Sequence, residues 1–165
     1  HGDNEDWAHL IDDVKFQDDV LIVAGNLAVS VADVINGLTV LKSKFRRVFY
    51  TVGNHEMAID PSEAALYPDS ISKLNAIFAA CDELGVDVMP APVSEDVFIV
   101  PLLSWYSADF DHNDPFPNPR SPYDTGCKWP MNRHESLWRY MLKLNEATFN
   151  MALTGTVVTF SHFLP

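Results

Sequence analysis

Cationic side chains are scarce in this chain. Eleven Lys and Arg stand against 23 Asp and Glu, a formal charge of −12 with His neutral. Nucleic acid is held by Lys and Arg that displace condensed counterions, so this balance argues against a nucleic-acid surface, and equally against a membrane face. It leaves room for a small phosphorylated substrate, because bound cations would offset local negative charge. The competing reading of the acidic balance is solubility alone. Cysteine is also rare. Cys81 and Cys127 lie far apart and form no C-x-x-C pair, which points to a reduced compartment. No apolar run approaches the roughly 20 residues that span a bilayer, and no signal peptide is visible. The expected location is cytoplasmic, with an organellar targeting segment left open because the chain does not begin with Met. H-E-x-x-H, Gly-x-Ser-x-Gly, a P-loop and a Cys cluster are all missing, which argues against several common hydrolase chemistries. There is no internal repeat and no low-complexity tract.

What is present suits a single domain: 165 residues, 47% hydrophobic. Trp7, Leu10, Ile11 and Val14 have helical spacing. Val20 to Ala24 reads as a short buried parallel strand, broken by Gly25-Asn26. Val31, Val34, Ile35, Leu38 and Leu41 form a helical stripe, with Phe45 a turn on and Arg46-Arg47 as cations at the helix end. Val48 to Val52 reads as a second strand, leading into Gly53-Asn54-His55-Glu56. Ile71, Leu74, Ile77, Phe78, Cys81 and Leu84 make another stripe, stopped at Gly85. Strands are expected over 86–89 and 97–100, and a long irregular Pro-rich insertion over 107–132. A helix on Leu137, Tyr140, Met141, Leu144 and Thr148, then a strand over 156–160, lead to Ser161-His162.

The polar pieces that follow apolar runs carry the chemistry. Open α/β sheets place reacting groups at the carboxyl ends of their strands. Gly25-Asn26, Gly53-Asn54-His55-Glu56 and Ser161-His162 each follow such a run, and His1 precedes them. Their order resembles the calcineurin-like metallophosphoesterases, which carry D-x-H, G-D, G-N-H-[DE], a lone His after a strand, and G-H-x-H. His1 matches the His of the first motif, Gly25-Asn26 the second with its acid replaced, Gly53 to Glu56 the third in full, and His162 the lone His. G-H-x-H is absent. Ser161 to Pro165, Pro101 to Tyr106 and Cys127 to Pro130 are similar to a plant and algal branch.

The resemblance implies an α/β fold, a β-sandwich flanked by helices in four layers (α/β/β/α). Residues 1–165 would be roughly its amino-terminal half. It implies a hydrolase of phosphomonoesters or small phosphodiesters that uses two metal ions (Mn, Fe or Zn) and a metal-bound hydroxide. His1 would ligate the first metal, Asn54 and His162 the second, and Asn26 would occupy the bridging position. His55 would be the general acid. Glu56 would only complete the loop.

Asn26 conflicts with that scheme. An amide offers one acceptor oxygen, and its nitrogen is a donor, so it cannot bridge two cations as a carboxylate does. Loss of one metal or weaker binding is expected. A degenerate, non-catalytic scaffold that binds a protein partner is therefore the alternative. Asn26 also reads as a plain strand-ending turn. His162 alone reads as a buried, satisfied histidine, and Gly53-Asn54 alone as a turn. Trp105 and Tyr106 are expected in the core, and His9, His112 and His134 at the surface. Arg46, Arg47, Arg120, Arg133 and Arg139 are expected in surface roles.

Overall fold

Helices and two small sheets alternate in an α/β chain. A computed structural model describes residues 3–107, 125–130 and 136–164. The elements run α1 (Asp3–Leu10), β1 (Val20–Val23), α2 (Val31–Lys44), β2 (Arg47–Tyr50), α3 (Asn54–Met57), α4 (Ser70–Leu84), β3 (Ala91–Ser94), β4 (Val97–Pro101), α5 (Leu137–Leu144), α6 (Glu146–Phe149) and β5 (Thr156–Phe160). β1 and β2 pair in parallel, Val20 opposite Arg47 through Val23 opposite Tyr50. In the second sheet β4 pairs antiparallel with β3 and parallel with β5. No helix among the described residues is long and apolar enough to cross a membrane.

The two long helices form where the stripes predict them, because their ends are capped. The Ser30 hydroxyl accepts the Asp33 N–H at 3.1 Å and opens α2. Asp69 Oδ1 accepts the Ser72 N–H at 2.7 Å and opens α4, which Gly85 ends. Val31, Val34, Leu38 and Leu41 from one helix and Leu74, Ile77 and Cys81 from the other share a buried core with Val48, Tyr50 and Met57. Burial pushes the Cys81 thiol up to about 12, so it behaves as a small apolar side chain.

Several expectations fail for local reasons. The stripe from Trp7 to Val14 is no helix face: α1 stops at Leu10, and Leu10 and Val14 are exposed. Asp12 Oδ1 takes the N–H groups of Val14 and Lys15, each at 2.8 Å, a local bond that competes with helix continuation. Arg47 is no helix-end cation. It lies in β2, and its fork grips Asp87 through Nε at 3.0 Å and Nη2 at 2.6 Å. The expected strand at 86–89 pairs at Asp87 alone, which bridges to Phe49 and bonds the backbone of Val48 and Tyr50. The hairpin strand is instead 91–94, which carries Pro92 at the sheet edge, where a missing N–H costs no ladder bond. Most of the expected insertion, with His112, Arg120, Arg133 and His134 nearby, lies outside the described residues. His9, Arg46 and Arg139 are exposed.

The cap of α4 makes a prediction. The Ser72 N–H holds the Asp69 carboxyl below its ordinary 3.8. A lowered value means the cap contributes fully above pH 3.8 and loses its contribution as pH falls through the lowered value. Asp69→Ala is expected to cost about 1 kcal/mol at pH 7, with the gap to the unaltered chain narrowing in acid. Urea unfolding at the two pH values checks this, and equal stabilities at pH 7 would remove the cap from the account.

Candidate functional site

Two strand ends and two glycines bring the candidate loops into contact. β1 and β2 run parallel and end side by side, so residues 24–28 and 51–56 leave the sheet at the same edge. A Cβ on Gly25 would lie 2.4 Å from the Gly53 nitrogen. A Cβ on Gly53 would lie 2.4 Å from Asn26 Oδ1 and 2.9 Å from His162 Cε1. Only glycine permits this approach. Gly25 has φ 81 and Asn26 has φ 59, a left-handed conformation that Asn tolerates better than most residues.

Beneath the contact sits Glu56, fully buried. Its Oε2 accepts the N–H of Gly53 at 2.8 Å and of Asn26 at 2.9 Å. Its Oε1 accepts the N–H of Leu27 at 2.5 Å and, at a longer 3.4 Å, of Ala28. The bond back to Gly53, the N-cap of α3, is half of a capping box. The others reach a loop 28 to 30 residues earlier in the chain. A second tie runs alongside. Buried Lys73 donates to the carbonyls of Val29 at 2.5 Å and Ala58 at 2.7 Å, and pairs with Glu63 at 3.0 Å. Glu63 in turn accepts the Val31 N–H at 2.7 Å. Burial first, and then the Glu56 charge, hold the Tyr50 phenol well above its ordinary pKa.

The structure brings four of the five sequence-selected residues together; His1 lies outside the described residues. Asn26 Oδ1 accepts the His55 backbone N–H at 3.2 Å. His162 follows β5, and its ring meets both loops: Nδ1 lies 2.6 Å from the Ala24 carbonyl and Nε2 lies 3.2 Å from Asn54 Oδ1. The turn carrying His162 is hooked in place by Ser104, whose hydroxyl donates to the Phe163 carbonyl at 2.8 Å and accepts the Phe163 N–H at 3.0 Å. Phe163 sits against Trp105 at 5.1 Å and Tyr106 at 5.6 Å between ring centres. Trp105 is buried and Tyr106 half-buried.

The pair formed by His162 and Asn54 bears on metal binding. A carbonyl accepts, so Nδ1 carries hydrogen and the neutral ring turns a lone pair on Nε2 toward another acceptor, Asn54 Oδ1. A proton on Nε2, an Asn54 amide turned over, or a cation held by both would satisfy the two atoms. Ligands about 2.1 Å from one ion lie about 3 Å apart when adjacent, so this pair fits one cation. The fit does not extend to a second. The Asn26 oxygen already accepts from His55, Glu56 is occupied by backbone N–H groups, and no group of three His, Cys, Asp or Glu that could hold a metal occurs among the described residues.

Sequence reasoning gave Glu56 only the completion of its loop, and gave the Ala24 carbonyl and the Lys73–Glu63 tie no role. Only Glu56 had a legible signal, its position three residues after the N-cap Gly53.

No family model matches the chain, and no curated protein matches it. A solved structure with the same fold is that of phosphopantetheinyl hydrolase (PptH) from Mycobacterium tuberculosis. The TM-score is 0.72 and the identity 20%, over 99% of this chain and 64% of that one. At that identity the likeness is one of fold, and the chain spans less than two thirds of that protein's length. These findings overturn membership of the plant and algal branch of calcineurin-like metallophosphoesterases: the neighbour belongs to a different branch and no family model supports the assignment. The physical reason is that a few short loops at strand ends are local. They reflect where a sheet puts its polar turns and carry no lineage.

The loop contact makes a prediction of its own. Gly53→Ala puts a methyl into the Asn26 side chain and is expected to cost about 2 kcal/mol, read by urea unfolding. A cost within the roughly 0.5 kcal/mol of an ordinary surface change would show that the loops do not touch.

Proposed function

We propose that this chain carries the site of a metal-dependent hydrolase of phosphomonoesters or small phosphodiesters. The observation that carries this reading is the approach of Asn54 Oδ1 and His162 Nε2 to 3.2 Å, with Nδ1 of His162 2.6 Å from the Ala24 carbonyl. Ligating histidines commonly donate their other ring nitrogen in this way. On this reading 1–165 is part of a catalytic domain whose two sheets are layered between helices.

A bound Mn, Fe or Zn ion would polarise a phosphoryl oxygen and lower the pKa of water. Asn54 and His162 would hold it. Asn26 accepts the His55 backbone N–H in the first turn of α3, and the His55 imidazole would give its proton to the departing oxygen. With a chain charge of −12, the cation rather than Lys or Arg draws the substrate phosphate. The second reading, a non-catalytic scaffold for a protein partner, is favoured by one observation: the amide at Asn26 is already engaged with the backbone.

The test is Mn²⁺ binding by electron paramagnetic resonance, together with turnover of p-nitrophenyl phosphate and its bis ester. The name of the structural neighbour adds a phosphopantetheinyl ester to the panel. Expected are saturable Mn²⁺ binding lost in His162→Ala, and turnover that falls about 10²-fold or more in His55→Ala with Mn²⁺ affinity kept. Asn26→Asp, which restores a carboxylate, is expected to tighten Mn²⁺. Binding without turnover on any ester would favour the scaffold. Absence of both would end the hydrolase reading.

A further inference from the structure

The two ring nitrogens of His162 take their partners from two different loops. Ala24, which faces Nδ1, lies two residues before Asn26; Asn54, which faces Nε2, follows Gly53. Asn26 and Gly53 are the residues whose N–H groups share Glu56 Oε2, at 2.9 and 2.8 Å. One buried oxygen therefore sets the separation of the two groups between which the imidazole sits. The other oxygen, Oε1, secures the first loop further along through Leu27 at 2.5 Å.

We propose that Glu56 is the positioning residue of this site: by locking residues 24–28 against the turn at 53–56, it holds His162 in the tautomer with hydrogen on Nδ1 and none on the Nε2 that faces Asn54. The carboxylate form is needed. Two oxygens without hydrogen can receive N–H groups from both loops, whereas a Gln amide would turn an NH₂ toward N–H donors. An Asp would keep the charge but fall one methylene short. Glu56 touches neither metal nor substrate and acts through the loops alone. The proposal concerns the site assigned above, but its readouts need neither cation nor ester, so the two can fail separately.

The test is ¹⁵N NMR of the imidazole in the metal-free chain at about pH 8.5, two units above the ordinary histidine value. In the unaltered chain His162 is expected to show hydrogen on Nδ1 and a bare Nε2. The Asn26, Leu27 and Gly53 amides are expected to exchange with solvent at least about 100-fold more slowly than exposed amides. In Glu56→Gln and Glu56→Asp the His162 signature is expected to move toward the Nε2–H form that free histidine prefers. Leu41→Ala, a core truncation remote from these bonds, should lose stability and leave the signature in place. A retained signature in either folded Glu56 variant overturns the proposal. Should neither variant fold, the unaltered chain decides: hydrogen on Nε2 of His162, or Asn26 and Leu27 amides exchanging as fast as exposed ones, overturns it equally.

Discussion

A carboxylate taken out of water must replace its lost hydration or be expelled from the fold. Glu56 is fully buried and replaces it with backbone N–H groups from two loops. Such charge-assisted bonds are shorter and stronger than neutral ones, and here they act as a constraint in both directions. The loops need the carboxylate to satisfy N–H groups that leave the sheet ladder at its end. The carboxylate draws on both loops, taking one N–H from Gly53 and three from Asn26, Leu27 and Ala28. The close passage of Gly25 over Gly53 follows from this, since two loops held by one side chain leave no space for a Cβ between them. Lys73 works by the same logic with opposite sign: a buried ammonium gathers two carbonyls and the Glu63 carboxylate, which reaches back to the start of α2.

This arrangement has an electrostatic consequence. The atoms that face one another at the candidate site, from Asn26, Asn54 and His162, belong to uncharged groups while the imidazole is neutral. Glu56, the full negative charge beneath them, is occupied by the backbone and is not turned toward a ligand. A pair made of one imidazole nitrogen and one amide oxygen suits a borderline transition metal better than a hard alkaline-earth ion. Among the described residues no anionic side chain joins them, so on the proposed reading two adjacent cations would be disfavoured. On that reading the neutral Asn26 would go with a single cation.

Legibility from the sequence followed the range of the interaction. α2, α4 and β5 were readable because periodicity and caps are encoded within a few residues. Gly53 to Glu56 stood out as a polar turn after an apolar strand, and Asn26, Asn54 and His162 were placed in one site by order alone. The failures lie where a side chain reached beyond its neighbours or broke a pattern locally. Asp12 halted a helix whose apolar spacing continued past it. Arg47 looked like a helix-end cation because its partner, Asp87, is 40 residues away. Glu56 looked like the end of a motif because the N–H groups it serves belong mostly to another loop, and backbone donors leave no trace in residue identity. The likeness of the loops to a known family was misleading on lineage for a related reason: strand-end turns recur wherever the sheet geometry recurs.

The site joins a buried part of the fold to an exposed one. Asn26 and Asn54 lie in the segments that follow β1 and β2, and in β2 Val48, Phe49 and Tyr50 are all fully buried. His162 stands after β5, a parallel edge strand of which four residues are exposed. β5 is tied by its ladder to β4, by the Leu102 N–H bond to Phe160 and by the Ser104 hook. The imidazole links this element to both loops, with Nδ1 2.6 Å from the Ala24 carbonyl and Nε2 3.2 Å from Asn54 Oδ1. Any cation taken up by Nε2 and Asn54 Oδ1 would pin that element to the core, so ligand binding at this site and docking of β5 belong to one equilibrium. Since a ligand stabilises the state it binds in proportion to its occupancy, the gain would appear first in β5 and the turn that follows it, and least in the loops that Glu56 already holds.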